Sequence, residues 1–272
     1  ITGAASGIGL ATAERLAESG MNVCIADRDG AALGQAAEAV AARAPKGADA
    51  VLAVETDVSR FEAVEALRDA ALDRFGGVAL LMNNAGVGGG GGPWENLEGW
   101  QRVIAVNFWG VVHGIQAFAQ PMIEQGTPAA IVNTGSKQGI TNPPGDAAYN
   151  ASKAAIKSVT EGLAHQLRSL EGCQVTAHLL VPGFTYTGMI SRFLKDKPAS
   201  AWDPSQVTEH LLASLERGDF YILCPDNDVS LEMDHRRIEW AAGDLTQNRP
   251  ALSRWHPDYE EAFADFMKVE RD

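Results

Sequence analysis

Tyr149 and Lys153 stand four positions apart in "DAAYNASKAAIKS", residues 146–158. On a helix that spacing puts a phenol and an ammonium on one face, a turn apart. A free phenol titrates near ~10, too high to trade protons readily at neutral pH. A cation within about 4–6 Å favours the phenolate and brings that value down. The pair could then serve as a general acid or base toward an alcohol or a ketone. An exposed helix carrying an ordinary Tyr and Lys would show the same spacing, so the pair needs company elsewhere in the chain.

A second group of residues could hold a dinucleotide. "TGAASGIG", residues 2–9, leads straight into an amphipathic helical pattern. Gly3 permits the tight turn, and Gly7 and Gly9 let backbone and helix approach a pyrophosphate. That anion sits at the helix N-terminus, where free N–H groups and the helix dipole favour negative charge. Asp27, in "CIADRDG", ends the next strand-like run. A carboxylate there hydrogen-bonds the adenosine ribose hydroxyls and repels a 2′-phosphate, which favours NAD over NADP. Asp27 as a turn or helix-capping residue stays open, as does Arg28 as the partner of a 2′-phosphate. Asp27 is expected to dominate, because desolvating a carboxylate beside a phosphate costs more than leaving Arg28 in solvent.

These residues need a frame. Apolar runs at 22–27, 50–56, 78–83, 129–134, 174–180 and 219–224 alternate with helix-length segments at 8–19, 30–43, 60–75, 97–124 and 147–170. The strand runs are apolar throughout rather than alternating, which is the pattern of a sheet covered on both faces. Strand-then-helix alternation predicts right-handed crossovers and a doubly wound parallel sheet flanked by helices, an α/β fold. A glycine loop of this kind needs a strand ahead of it, so a few native residues are expected before Ile1. Five consecutive glycines, 88–92 in "GVGGGGGPW", predict a mobile loop near the mouth of the site. A phosphate-binding role is less supported there, because no helix start with a Lys follows.

Bulk properties exclude several functions. The net charge of −13 repels phosphate backbones, which argues against nucleic-acid binding. No apolar run approaches bilayer length and no signal peptide is visible, so no membrane association is expected. Cys24, Cys173 and Cys224 lie far apart, which reads as free thiols in a reducing, cytoplasmic compartment. The histidines show no metal-ligand spacing, so no catalytic metal is expected.

Taken together the motifs resemble the short-chain dehydrogenase/reductase family, in its short single-domain subgroup. The shared residues are "TGAASGIG" 2–9, "NNAG" 83–86, "VNFWG" 106–110, Ser136 in "VNTGSKQG", "YNASK" 149–153 and "PGFTYT" 182–187, in family order over roughly residues 1–190. The resemblance implies a single Rossmann-like domain over 1–272. It implies Tyr149 as proton donor or acceptor, and Ser136 as the hydrogen-bonding group at the substrate oxygen. Lys153 would lower the tyrosine pKa and bind the nicotinamide ribose, and Asn107 would hold a water linking Lys153 to solvent. Cofactor contacts would come from Gly3, Ser6, Gly7, Ile8 and Gly9 around the pyrophosphate, and from Asp27 and Arg28 at the adenosine ribose. Asp57 and Val58 would meet the adenine, and Asn83, Ala85 and Gly86 would line the adenosine and ribose side. Pro182, Gly183, Thr185, Thr187 and the backbone near Val181 would hold the carboxamide end, with Tyr149 and Lys153 completing the set.

Two departures from the family stand out. Gly135-Ser136 replaces the usual paired serines. Residues 225–272 read as a helical C-terminal extension in place of a short strand and tail, which favours a homodimer, built on the helices containing Asn107 and Tyr149, over a tetramer. Residues 188–206 hold the position of a substrate loop, expected to close over substrate through Met189, Ile190, Phe193, Leu194 and Trp202. A packed helical hairpin is the alternative. Trp94, Ile140, Phe184 and Met189 suggest an apolar secondary alcohol or ketone, while Trp100 and Trp109 read as core or dimer contacts. The leading function is NAD-dependent interconversion of a secondary alcohol and a ketone by hydride transfer. An NADP-preferring carbonyl reductase is second. A non-enzymatic dinucleotide-binding sensor or scaffold is third, and the complete set Asn107, Ser136, Tyr149 and Lys153 argues against it.

Overall fold

A computed structural model describes residues 1–191 and 194–268. The apolar runs become β1 (Val23–Asp27), β2 (Val51–Glu55), β3 (Leu80–Asn83), β4 (Ala129–Thr134), β5 (Val175–Val181) and β6 (Tyr221–Leu223). Every pairing is parallel: β1 with β2, and β3, β4, β5 and β6 side by side in that order. The first residues join the two groups. Thr2 N–H donates to the Met82 carbonyl at 3.0 Å, Ala26 N–H donates to the Ile1 carbonyl at 2.9 Å, and Thr2 bridges Ala26 in parallel. Ile1 and Thr2 therefore take the strand position that the sequence demands ahead of the glycine turn. The strand order reverses there, and the crevice at the carboxyl ends of such a switch point is where ligands bind in doubly wound sheets.

The sheet is apolar on both faces because successive side chains point to opposite sides. Leu81, Ile131 and Leu179 pack in one core with Leu67 of α3 (Phe61–Phe75), Phe118 of α5 (Gly110–Glu124) and Ile156 of α7 (Ala147–Ser169). Their neighbours Met82, Val132 and Leu180 pack in another with Val207 and Leu211 of α9 (Pro204–Arg217). Ile25 joins that second face further along, against α1 (Gly7–Glu18) and α2 (Gly30–Arg43). Side-chain hydroxyls of Thr12 and Thr208, 3.0 Å apart, tie α1 to α9.

One expected element differs. The helix predicted over 97–124 is α4 (Leu97–Val103), a π-helical turn at Ile104–Trp109, and then α5. Single π turns inside α-helices mark functional sites, because the extra residue re-aims the side chains around it. The extension is helical as predicted, with α10 (Leu231–Thr246) and α11 (Glu260–Lys268). Trp240 is its hub. Its indole N–H donates to Ser253 Oγ at 2.8 Å, Arg249 lies 4.0 Å over its ring, and the Phe263 and Phe266 rings sit 5.3 and 5.2 Å away. Among the described residues no helix is long and apolar enough to cross a membrane.

Candidate active site

The helix α7 starts at Asp146, whose Oδ1 accepts from Tyr149 N–H at 3.1 Å. One turn on, Lys153 Nζ lies 5.5 Å from the Tyr149 ring centroid. Ser136, two residues past the end of β4, stands near enough to the phenol to act on its titration, and its Oγ accepts from Gln138 N–H at 3.2 Å. Lys153 is buried and donates to the Thr134 carbonyl at 2.7 Å. The fold therefore brings Ser136, Tyr149 and Lys153 together from β4 and α7.

Asn107 joins them through the π turn. A Cβ on Gly86 would lie 3.5 Å from Asn107 Oδ1 and 3.7 Å from Lys153 Nζ, so the three share one wall. The Asn107 amide donates to the Val87 carbonyl at 2.9 Å and to Ser152 Oγ at 3.0 Å, and its oxygen accepts from Val87 N–H at 2.8 Å. Its polar atoms clamp the chain after Gly86, a task beyond the water-holding role read from sequence.

Burial shapes the electrostatics of this cluster. Burial pushes the Tyr149 phenol up, the Ser136 hydroxyl works against that, and the Asp146 charge pushes it further up. Burial also brings the Lys153 ammonium down to about 8. The Lys153 ammonium lies toward the ring and donates to the Thr134 carbonyl. Desolvation of the phenolate then dominates.

At the other end of the crevice the glycines fit a dinucleotide. Gly3 has φ +65°, and a Cβ there would lie 2.7 Å from the Ala85 Cα. One on Gly9 would lie 2.4 Å from the Gly3 carbonyl oxygen. The loop is thus pressed against the chain after β3, leaving the α1 N-terminus bare for an anion. Gly7 backs onto Thr187, where a Cβ would meet the threonine methine at 3.1 Å, and Gly188 backs onto Ser6. Ser6 opens α1 without a side-chain cap, and Ile8 packs toward the Met82–Val132 core.

Asp27 accepts from Ala5 N–H with Oδ2 and from Asp29 N–H with Oδ1, both at 3.2 Å. It stands between the glycine loop and the turn into α2, while the N-cap of α2 is Asp29, which accepts from Ala32 N–H at 3.0 Å. Arg28 is exposed and lines a cleft of about 650 Å³ with Asp29, Glu55, Asp57 and Arg60. Asp57 Oδ1 accepts from Ser59 Oγ at 2.7 Å and from Ser59 N–H at 3.0 Å. That bonding holds its carboxyl below the usual range. Val58 is buried, and its Cγ2 would lie 2.7 Å from a Cβ on Gly110.

Sequence reasoning misplaced one residue of "NNAG" and passed over another. The Asn83 side chain is turned into the core, donating to Asn133 Oδ1 at 2.9 Å, and Asn133 in turn donates to Thr160 Oγ1 at 3.0 Å. Asn83 sits on β3 where side chains alternate, and its face belongs to α5 and α7, so its amide does not line the crevice. Asn84 does the work near the loop. Its N–H donates to Thr2 Oγ1 at 3.0 Å, and its amide donates to the Thr2 and Gly3 carbonyls at 3.1 and 3.3 Å. Ala85 N–H also donates to Thr2 Oγ1, at 3.2 Å. The doubled Asn was the available signal.

The stretch expected to hold the carboxamide is built tightly. A Cβ on Gly183 would meet the Pro225 carbonyl at 2.8 Å, and Thr185 Oγ1 donates to the Gly183 carbonyl at 3.1 Å, beside Pro182 and Val181. The five-glycine loop, expected to be mobile, is tethered. Gly89 and Gly90 N–H donate to Asp146 Oδ2 at 2.6 and 3.1 Å, and Arg102 donates to the Gly88 and Gly89 carbonyls. Met189 reaches toward Gly88. Among the described residues of 188–206, the short α8 (Gly188–Ser191) is the one helical piece before α9 begins at Pro204. Trp202 N–H donates to the Phe184 carbonyl at 2.8 Å, and Tyr186 N–H donates back to the Trp202 carbonyl at 2.9 Å. Phe193 lies outside the described residues. Trp94 is 86% exposed, and Trp109, read as core or dimer contact, is 48% exposed.

Comparison with known proteins agrees with this geometry. The family model for short chain dehydrogenase matches residues 1–198. The chain is 40% identical over 265 residues to 1-deoxy-11-beta-hydroxypentalenate dehydrogenase of Streptomyces exfoliatus, covering 94% of this chain and 92% of that protein. It is 36% identical over 205 residues to 3beta-hydroxysteroid dehydrogenase 1 of Eggerthella lenta, covering 74% of this chain and 75% of that one. Among solved structures, a short-chain dehydrogenase/reductase from Burkholderia phymatum in complex with NAD superposes with a TM-score of 0.82 at 35% identity, over 92% of this chain and 94% of that one.

Proposed function

The chain belongs to the short-chain dehydrogenase/reductase family, and on that premise we propose that it interconverts a secondary alcohol and a ketone by hydride transfer with NAD. The convergence of Ser136 and Tyr149, with Lys153 on the same helix face, carries this reading. The family binds a nicotinamide dinucleotide, and the crowded glycines at 3 and 9 make the cradle it needs. When bound, the nicotinamide accepts hydride from the alcohol carbon or returns it to the ketone carbon. Tyr149 takes the hydroxyl proton in one direction and supplies it in the other. Ser136 holds the same oxygen, fixing the reacting carbon and stabilising charge that develops there. Lys153 keeps a positive charge beside the ribose and phenol.

Asp27 supports NAD over NADP, because its carboxylate lies where the adenosine ribose hydroxyls are expected and three further acids, Asp29, Glu55 and Asp57, surround that cleft. A 2′-phosphate would meet all four, with Arg28 and Arg60 in opposition. The relatives' names specify hydroxylated substrates, which agrees with an apolar secondary alcohol. A homodimer through the α4–α5 and α7 helices, in the cytoplasm, belongs to the same proposal, with Trp109 exposed beside His113 on that helix.

The test is titration with NADH and with NADPH, followed by Trp fluorescence and energy transfer to the reduced nicotinamide. NADH binding at least tenfold tighter is expected, and the opposite order would move the assignment to an NADP-preferring carbonyl reductase. Tyr149→Phe should bind NADH normally and lose about 10²–10⁴-fold in turnover of secondary alcohols. Turnover kept by that variant would remove Tyr149 from the mechanism, and NADH binding by a parent chain with no turnover of any secondary alcohol would leave the sensor reading.

A further inference from the structure

A second cavity, of about 320 Å³, lies between α6 (Gln138–Thr141) and the C-terminal extension. Its apolar wall is Ile140, Pro143, Leu223, Ile238 and Trp255. Neither Ser136, Tyr149 nor any residue of the glycine loop lines it. Its charged lining is three cations, Lys137, Arg237 and Arg254, and one acid, Asp234.

The three are not equivalent. Lys137 Nζ is neutralised twice, by Asp234 Oδ2 at 2.5 Å and by Asp226 Oδ2 at 3.4 Å. Arg254 has no carboxylate partner among the described residues. It is held by rings instead, 4.8 Å over Trp255 and 5.2 Å over Phe263. Arg237 has no ion pair among the described residues either, and its Nε is buried without a hydrogen-bond acceptor. Burial and the Arg237 charge bring the Arg254 guanidinium down while Asp234 acts against them, and both guanidiniums line the one cavity.

Arg237 and Arg254 are half-buried, and the one acid lining the cavity, Asp234, is already paired with Lys137, so the cavity keeps an excess of positive charge that favours an anion. The planar guanidinium fork matches a carboxylate, and an apolar wall takes the hydrocarbon attached to it. We propose that the cavity between α6 and the extension is a binding site for an organic carboxylate with a compact apolar body, its carboxylate held by Arg237 and Arg254 and its hydrocarbon by Ile140, Pro143, Leu223 and Ile238. The site is assembled only because residues 225–268 fold back over α6. It is a reason for the extension to exist that the oxidoreductase chemistry does not supply. The proposal does not depend on the cofactor or reaction assigned above.

The probes are 1-adamantanecarboxylate and the neutral 1-adamantanemethanol, titrated calorimetrically into the full chain. The acid should bind at least tenfold tighter than the alcohol. Equal affinities, or binding of neither, would overturn the site, and that comparison requires no variant. Arg237→Gln and Arg254→Gln, checked by circular dichroism and by NADH affinity, should each cut the preference to about twofold or less. A preference that survives in both folded variants would overturn the assignment to these residues. Kinetics with a secondary alcohol then distinguish the source of the carboxylate. A raised KM at constant kcat in the presence of the acid marks the carboxylate as part of the substrate, and an unchanged KM marks a separate ligand. Either result supports the site once the acid has been shown to bind.

Discussion

Lys153 shows how one residue can oppose folding and serve chemistry. Its ammonium is buried and titrates at about 8 instead of 10.5. Between those values the unfolded chain holds more protons than the folded one, so stability rises as pH climbs through that window. At neutral pH the full penalty applies, about 3 kcal/mol, offset in part by the bond to the Thr134 carbonyl. Lys153→Met should therefore raise the thermal midpoint at pH 7 by several degrees while abolishing activity, and the gain should shrink by pH 10. A lower midpoint at pH 7 would show that the Thr134 bond outweighs the desolvation. The raised phenol makes a second prediction. The neutral form of Tyr149 persists across pH 6–7.5, where Lys153 stays charged. Ketone reduction, which needs the proton, should then be flat over that range. Alcohol oxidation, which needs the phenolate, should climb with a logarithmic slope near one, and an oxidation rate independent of pH would contradict the assignment of Tyr149 as base. The spacing of Tyr149 and Lys153 was legible because it is local. The direction of the phenol's shift was not, because it depends on what α7 packs against.

At the scale of elements, Asp146 links the five-glycine loop to the start of α7. One oxygen accepts from Tyr149 N–H and the other from Gly89 and Gly90 N–H. Asp146→Ala should cost about 1 kcal/mol as a lost helix cap. It should speed hydrogen exchange at 89–90, and it should shift the oxidation profile to lower pH, because the charge that raises the phenol is gone. Asp146→Asn separates the effects, keeping one acceptor for a cap while producing the pH shift. An unchanged profile in both variants would show that Asp146 is structural only. This link was invisible in the sequence, where 89 and 146 are far apart. Asn84 escaped for the same reason, since its partners Thr2 and Gly3 lie on the other side of the sheet's switch point. The strand and helix limits, in contrast, fell within a residue or two of the apolar runs. Burial on both faces leaves an unbroken signature in the chain, and only the π turn at 104–109 departs from it.

For the whole molecule, the question is what the extension is anchored by. Trp240 collects Ser253, Arg249, Phe263 and Phe266 around one ring. Trp240→Ala should cost about 3–5 kcal/mol locally, so limited proteolysis should cut within 247–257 while NADH affinity stays within about twofold. Protease resistance equal to the parent would show that α10 and α11 are held by other contacts. Periodicity and spacing determined the parallel α/β frame and the glycine loop, and the family resemblance pointed to Ser136, Tyr149 and Lys153. Each is written in short-range spacing or in the two-sided burial of whole strands. The tertiary structure alone decided which way Asn83 faces, that Asn107 clamps Val87, that burial governs the phenol, and that Arg237 and Arg254 meet over one cavity. Those outcomes depend on contacts between elements distant along the chain, and on the loss of water around them, neither of which local sequence encodes.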